Sequence, residues 1–105
     1  HGSPAGGVGG ENIIEVVLDH YEMEAADLLS AKKVRTIVRA RQVGMYLARQ
    51  LTPLSLTQIG SLFGGRDHTT VLYALRQIEK NLPGDQHLRS EIETVRSRLS
   101  VAHLR

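Results

Sequence analysis

From Glu11 onward the apolar positions repeat with the period of an α-helix. Ile13, Val17 and Tyr21 keep a spacing of four, with Ile14 and Leu18 beside them, so an amphipathic helix is expected there with Asn12 as its N-cap. A short helix over Glu24–Leu29 follows. Ser30–Val38 (SAKKVRTIV) is basic and has no sustained apolar face, which predicts a loop. A long helix is expected from near Val38 to about Leu51, with Val43, Leu47 and Leu51 as its buried stripe, Tyr46 alongside, and Thr52-Pro53 as its stop. Ser55 and Gln58 complete a capping-box pattern for the next helix, whose apolar face is Leu56, Ile59, Gly60 and Phe63. Gly64-Gly65 breaks it after about two turns. Asp67 caps a further helix reaching about Asn81, with Val71, Leu75 and Ile78 inward. Pro83-Gly84-Asp85 reads as a turn and a new cap, after which Leu88, Ile92, Val95 and Leu99 repeat at spacings of four and three, a narrow buried seam. No segment alternates with period two and there is no internal repeat, so the expectation is an all-α chain. The first ten residues, HGSPAGGVGG, lack periodicity. They read as a flexible leader, with His1-Gly2-Ser3 as a cloning scar, which places the domain at 11–105.

Composition narrows the field. A chain of 105 residues forms one core, burying roughly two-thirds of the surface exposed when unfolded. Cysteine is absent, which excludes a disulfide framework, a zinc–thiolate site and a thiol nucleophile. No apolar run approaches the ~20 residues of a membrane span, and no secretory signal is visible, so a cytoplasmic location is the default. The net charge of +2 decides little, but its distribution decides more. Residues 1–29 hold six acids and no Lys or Arg, whereas residues 30–66 hold seven bases (Lys32, Lys33, Arg35, Arg39, Arg41, Arg49 and Arg66) and no acid. Such a stretch is the electrostatic footprint of a polyanion site. The plainer alternative is a solvated basic face paired with the acidic N-terminal third.

A short helix and a longer one joined by Gly64-Gly65 and a cap have the spacing of a helix–turn–helix. In that motif the second helix points its N-terminus into the major groove of a duplex, so short polar side chains are needed there. Asp67, His68, Thr69 and Thr70 supply them. Asp67 is equally a plain N-cap; as a reader it would accept from a cytosine or adenine amino group. His68 is equally a solvent-facing helix residue. Thr69 and Thr70 are poor helix formers, yet in a first turn a threonine methyl can meet a thymine methyl. Enzyme readings are weak. Ser61, Asp67 and His68 are the only triad-like cluster, and neighbours on a helix point about 100° apart. No His pair at i, i+4 with a carboxylate marks a metal site. The first helix has an acidic polar face, unsuited to anionic membranes. Two alternatives remain: a generic helix–turn–helix regulator that dimerises on palindromes, and a helical interaction module that uses the Leu88–Leu99 seam as a dimer surface.

The run Ile59–Lys80, IGSLFGGRDHTTVLYALRQIEK, resembles the signature of the C-terminal DNA-binding domain of the bacterial replication initiator family DnaA. ADLLS (Ala26–Ser30), RARQVGMYLARQLT (Arg39–Thr52) and SLTQIG (Ser55–Gly60) are similar to that family in matching order, so only the leader lies outside the resemblance. The resemblance implies a six-helix domain of the TrpR-like kind. It would bind, as one monomer per site, an asymmetric duplex element (the DnaA box, with a consensus like TTATNCACA), and would support initiation and regulation of chromosome replication at the nucleoid. Carried over by position, Asp67, His68 and Thr69 would contact bases in the major groove, and Leu56 and Thr57 would approach thymine methyls. Lys33 in the basic loop would enter the minor groove. Arg35, Arg41, Gln42, Arg49 and Thr70 would contact phosphates. Three positions depart from the family pattern: Thr57 stands where Pro is frequent, Ala40 also replaces a common Pro, and Lys33 stands where Arg is usual and lacks its planar fork. Lys32 and Arg35 are candidates to share the task of Lys33. The family's ATPase of the AAA+ class has no counterpart here, since no Walker A motif is present. The chain is therefore expected to be an isolated domain with no cofactor and no metal. ATP would bind only in the missing part, and the whole protein would assemble on clustered boxes.

Overall fold

In the computed structural model, which describes residues 8–104, the first helix is α1 (Gly10–Tyr21), one residue longer at its start than its apolar pattern. Its N-cap is Gly9, not Asn12. Asn12 sits three positions inside and its Oδ1 accepts from the Gly9 amide at 3.1 Å, which is half of a capping box. Val8 packs against the core at the position of a hydrophobic staple. Residues 8–10 of the leader expected over 1–10 thus belong to the fold, and its residues 1–7 lie outside the described residues.

The short α2 (Ala25–Leu28) appears as the pattern predicts, with Leu28 fully buried. The long helix α3 (Arg35–Leu51) starts three residues before Val38, so the basic loop ends at Val34. Ile37 carries that extra turn into the core. It was hidden in the sequence because the buried positions of α3 include a charged one, Arg41, which breaks the apolar stripe. Thr52 ends α3, its hydroxyl donating to the Ala48 carbonyl at 2.6 Å. Then come α4 (Leu56–Leu62), α5 (His68–Asn81), a 3₁₀ turn (Leu82–Gly84) and α6 (Gln86–Leu104). The result is an all-α domain of six α-helices, with no strand among the described residues.

α3 lies at the centre and touches every other α-helix. Val43, Leu47, Phe63, Val71 and Ile59 are all fully buried around it. The α6 seam (Leu88, Ile92, Val95, Leu99) is buried in the same cluster as Ile13 and Val17 of α1. That disposes of the alternative in which the seam is a dimer surface, because its area is spent within the molecule. A polar network ties the same three helices: Tyr21 donates to Glu91 Oε1 at 2.5 Å, and the Arg39 guanidinium pairs with Glu91 at 3.3 Å and Asp85 at 3.5 Å. Burial, then the bond to Glu91, pushes the Tyr21 hydroxyl far above its ordinary pKa, so it remains a neutral donor.

Candidate nucleic-acid interface

α4 and α5 form the helix–turn–helix, and each begins on a side-chain cap. Ser55 Oγ accepts from the Gln58 amide at 3.1 Å while Gln58 Oε1 accepts from the Ser55 amide at 2.9 Å, the reciprocal capping box. The turn between the helices folds back on α4. The Gly60 carbonyl accepts from the amides of Phe63 (3.2 Å), Gly65 (3.0 Å) and Arg66 (2.9 Å). That wrap requires glycine, since a Cβ at position 60 would lie 1.9 Å from the Arg66 carbonyl oxygen. Gly64, at φ +95°, is left-handed, and a Cβ there would sit 2.4 Å from the Leu29 carbonyl oxygen. The turn is thereby pressed against both α4 and the start of the basic loop.

Asp67 caps α5 through one oxygen. Oδ1 accepts from Thr69 Oγ1 at 2.7 Å, the Thr70 amide at 2.9 Å and Thr70 Oγ1 at 3.0 Å. The Thr69 hydroxyl, then the Thr70 amide and hydroxyl, hold the carboxyl at about 2, below its ordinary 3.8. Oδ2 makes no hydrogen bond among the described residues, so one carboxylate can cap the helix and still present an acceptor outward. His68, Thr69 and Thr70 are exposed beside it, as is Thr57 near the start of α4, with Leu56 half-buried. Both donors of Thr70 already serve Asp67, so a phosphate bond from its hydroxyl requires release from Oδ1.

The basic stretch divides once its partners are known. Arg39 faces α6 and is paired there. Lys32 pairs with Asp27 at 2.7 Å. Arg41, expected on a phosphate, is 8% exposed. It donates through Nε to the Leu28 carbonyl at 3.0 Å, and through its terminal nitrogens to the carbonyls of Ser30 (2.9 Å), Lys32 (3.3 Å) and Asp27 (3.5 Å). Burial, then the neighbouring Arg66, lowers its pKa. Most of its donors are thus committed to backbone. Lys33, Arg35 and Arg49 stay exposed, Arg49 with one 3.4 Å bond to the Leu54 carbonyl.

Three separate segments meet at one cavity of about 270 Å³: Lys33 from the loop, Arg41 and Gln42 from α3, and Thr70 from α5 share its lining with Arg66 and Tyr73. Arg35, Arg49, Leu56, Thr57, Asp67, His68 and Thr69 lie outside that lining. The sequence offered Arg66 only as one base of the acid-free stretch, with no contact assigned to it, and gave no sign of Tyr73. Arg66 sits in the turn rather than on a periodic face. Tyr73 stands three positions after Thr70, and its 61% exposure is the signal that the helical pattern, which counts only inward positions, does not give. Among the described residues no group of three His, Cys, Asp or Glu could hold a metal ion, and no helix is long and apolar enough to cross a membrane.

Residues 10–78, which contain α4, the turn and all but the last three residues of α5, match the family described as the bacterial dnaA protein helix-turn-helix. The chain belongs to the bacterial DnaA family. It corresponds to the C-terminal helix–turn–helix domain, a non-catalytic part. Over 86 residues, 82% of this chain, it is 52% identical to the chromosomal replication initiator protein DnaA of Bartonella quintana (strain Toulouse) and 51% identical to that of Brucella abortus biovar 1 (strain 9-941), covering 17% of each. It is 46% identical, over 82% of its length, to the DnaA of Cereibacter sphaeroides (strain ATCC 17029 / ATH 2.4.9), covering 19% of it. The chain thus spans less than one-fifth of the length of these curated relatives.

Proposed function

We propose that this domain binds double-stranded DNA at DnaA boxes, one monomer per box, and so supports the initiation and regulation of chromosome replication. The observation that carries the reading is the convergence of the basic loop, α3 and the first turn of α5 on one side of the molecule, with Lys33, Gln42 and Thr70 around a single cavity beside an exposed polar helix tip. The first turn of α5 enters the major groove. Asp67 keeps its cap through Oδ1 and accepts from a cytosine or adenine amino group through Oδ2, while His68 and Thr69 meet the neighbouring base edges. Leu56 and Thr57 pack on thymine methyls. Lys33 reaches the adjacent minor groove.

Arg35, Gln42, Arg49 and Thr70 contact phosphates. The exposed amide groups and dipole at the start of α5 favour the same anions. Arg41 contributes mainly through the loop it holds, and its charge acts at a distance. The site calls for no cofactor, and ATP belongs to the part of the full-length relatives that this chain does not cover. The full protein would assemble on clustered boxes.

A gel-shift comparison of a TTATNCACA-type duplex with a scrambled duplex at physiological salt tests the reading. The box is expected to bind more than about tenfold more tightly, since each wrong base pair typically costs about 1–3 kcal/mol. Equal affinities would overturn it.

A further inference from the structure

We infer that Arg41 and Arg66 are positioning residues that fix the reach of the basic loop relative to the reading helix. The Ser30 carbonyl accepts from Arg41 of α3 at 2.9 Å and also from Arg66 of the helix–turn–helix turn. One loop atom is thereby tied to two side chains that are 25 residues apart in sequence. Arg41 also takes the carbonyls of Leu28 at 3.0 Å and Lys32 at 3.3 Å, one on either side of Ser30. The loop braces itself as well: Ser30 Oγ donates to the Asp27 carbonyl at 2.7 Å and accepts from the Lys32 amide at 3.1 Å. A second point of close approach, Gly64 against Leu29, lies one residue away. Lys33 follows directly on the last clamped residue, and it is exposed.

The chemistry suits positioning better than stabilisation. Two guanidinium groups share a carbonyl, and no carboxylate accepts from either group among the described residues. Arg66 Nε is buried without a partner. Like charges held this close are costly. A planar fork with several donors, however, holds four carbonyls in one geometry, which a lysine ammonium with three donors cannot do. The offset between Lys33 and the first turn of α5 is then rigid before DNA arrives. That offset decides which base pair the minor-groove side chain meets when the major-groove reader is in register. This inference rests on the DNA-binding reading above.

Arg41→Lys and Arg66→Lys keep the charge and lose the fork. Their affinities are to be measured by fluorescence anisotropy at several salt concentrations. Three duplexes are needed: a box, a box with base pairs exchanged under the loop, and a box with base pairs exchanged under α5. Each variant is expected to lose about five- to tenfold on the box, with discrimination falling at the loop side and persisting under α5. The slope of log K against log[salt] should stay within about 0.3 of the unsubstituted protein. In the free protein, hydrogen exchange at the Lys32 amide should speed up. Should Arg41→Lys fail to fold by its thermal melt, Arg66→Lys carries the same test.

Unchanged loop-side discrimination would overturn the inference. So would a fall in slope of about one unit in Arg41→Ala with discrimination intact, because that is the signature of a direct phosphate contact. If the unsubstituted protein fails to distinguish box from scrambled duplex, it is the DNA-binding reading that fails.

Discussion

Asp67 shows how a single side chain that caps a helix can also serve the proposed interface. Its Oδ1 gathers three donors from Thr69 and Thr70, and the exposed Oδ2 is left for a partner. Its carboxyl is held at about 2 against an ordinary 3.8. A depressed pKa means that the stabilising contribution is complete above the unfolded value and disappears as pH falls through the folded one. The cap should therefore be intact at neutral pH and fade only between about pH 4 and 2, which carboxyl-carbon NMR titration of Asp67 measures directly. A midpoint near 4 would show that the cap is absent in solution. Next to it, His68→Ala and Thr69→Ala are expected to cost about 1–3 kcal/mol on a DnaA box and little on random duplex. An equal loss on both duplexes would remove His68 or Thr69 from the readers.

At the scale of elements, the helix–turn–helix depends on Gly60 more than on any residue of its exposed tip. A methyl at that position meets a backbone carbonyl, which cannot swing aside as a side-chain end can. Gly60→Ala should therefore destabilise at the upper end of the ~1–3 kcal/mol typical of overpacking. Gly84→Ala, with open space around it, should be neutral or slightly stabilising. Thermal melts of the two variants decide this, and equal melting temperatures would refute the close approach.

These elements were largely legible in the sequence, because their signals are local. Ser55 with Gln58, Gly64-Gly65 and Asp67 mark the motif by capping and turn chemistry, and the structure places caps and turn at those residues. What was not legible depends on contacts distant in sequence. Arg41 looks like any surface base until the carbonyls of residues 28–32 are seen around it. The first turn of α3 is masked because the buried positions of that helix include the charged Arg41. Val8 and Gly9 looked like leader because a single apolar residue and a glycine cap ahead of a helix have no period to detect.

For the molecule as a whole, the acid-free stretch is only partly free to meet a polyanion. Arg39 holds α3 to α6 and Arg41 holds the loop, while of these three Lys32 alone pairs with the acidic N-terminal third, through Asp27. Lys33, Arg35 and Arg49 remain as the exposed cations nearest the proposed duplex. A slope of log K against log[salt] near −3 is expected, and Arg49→Ala should reduce it by about one unit. Salt-independent binding would contradict the proposed phosphate contacts.

The central claim is geometric: one face of the molecule carries both a major-groove reader and a minor-groove probe. A crystal structure of the domain with a duplex carrying a single DnaA box tests it most directly. The account predicts the first turn of α5 inserted in the major groove, with His68 and Thr69 against base edges and Lys33 in the adjoining minor groove. A complex in which that turn points to solvent, or in which Lys33 and α5 lie on different faces of the contact, would contradict it.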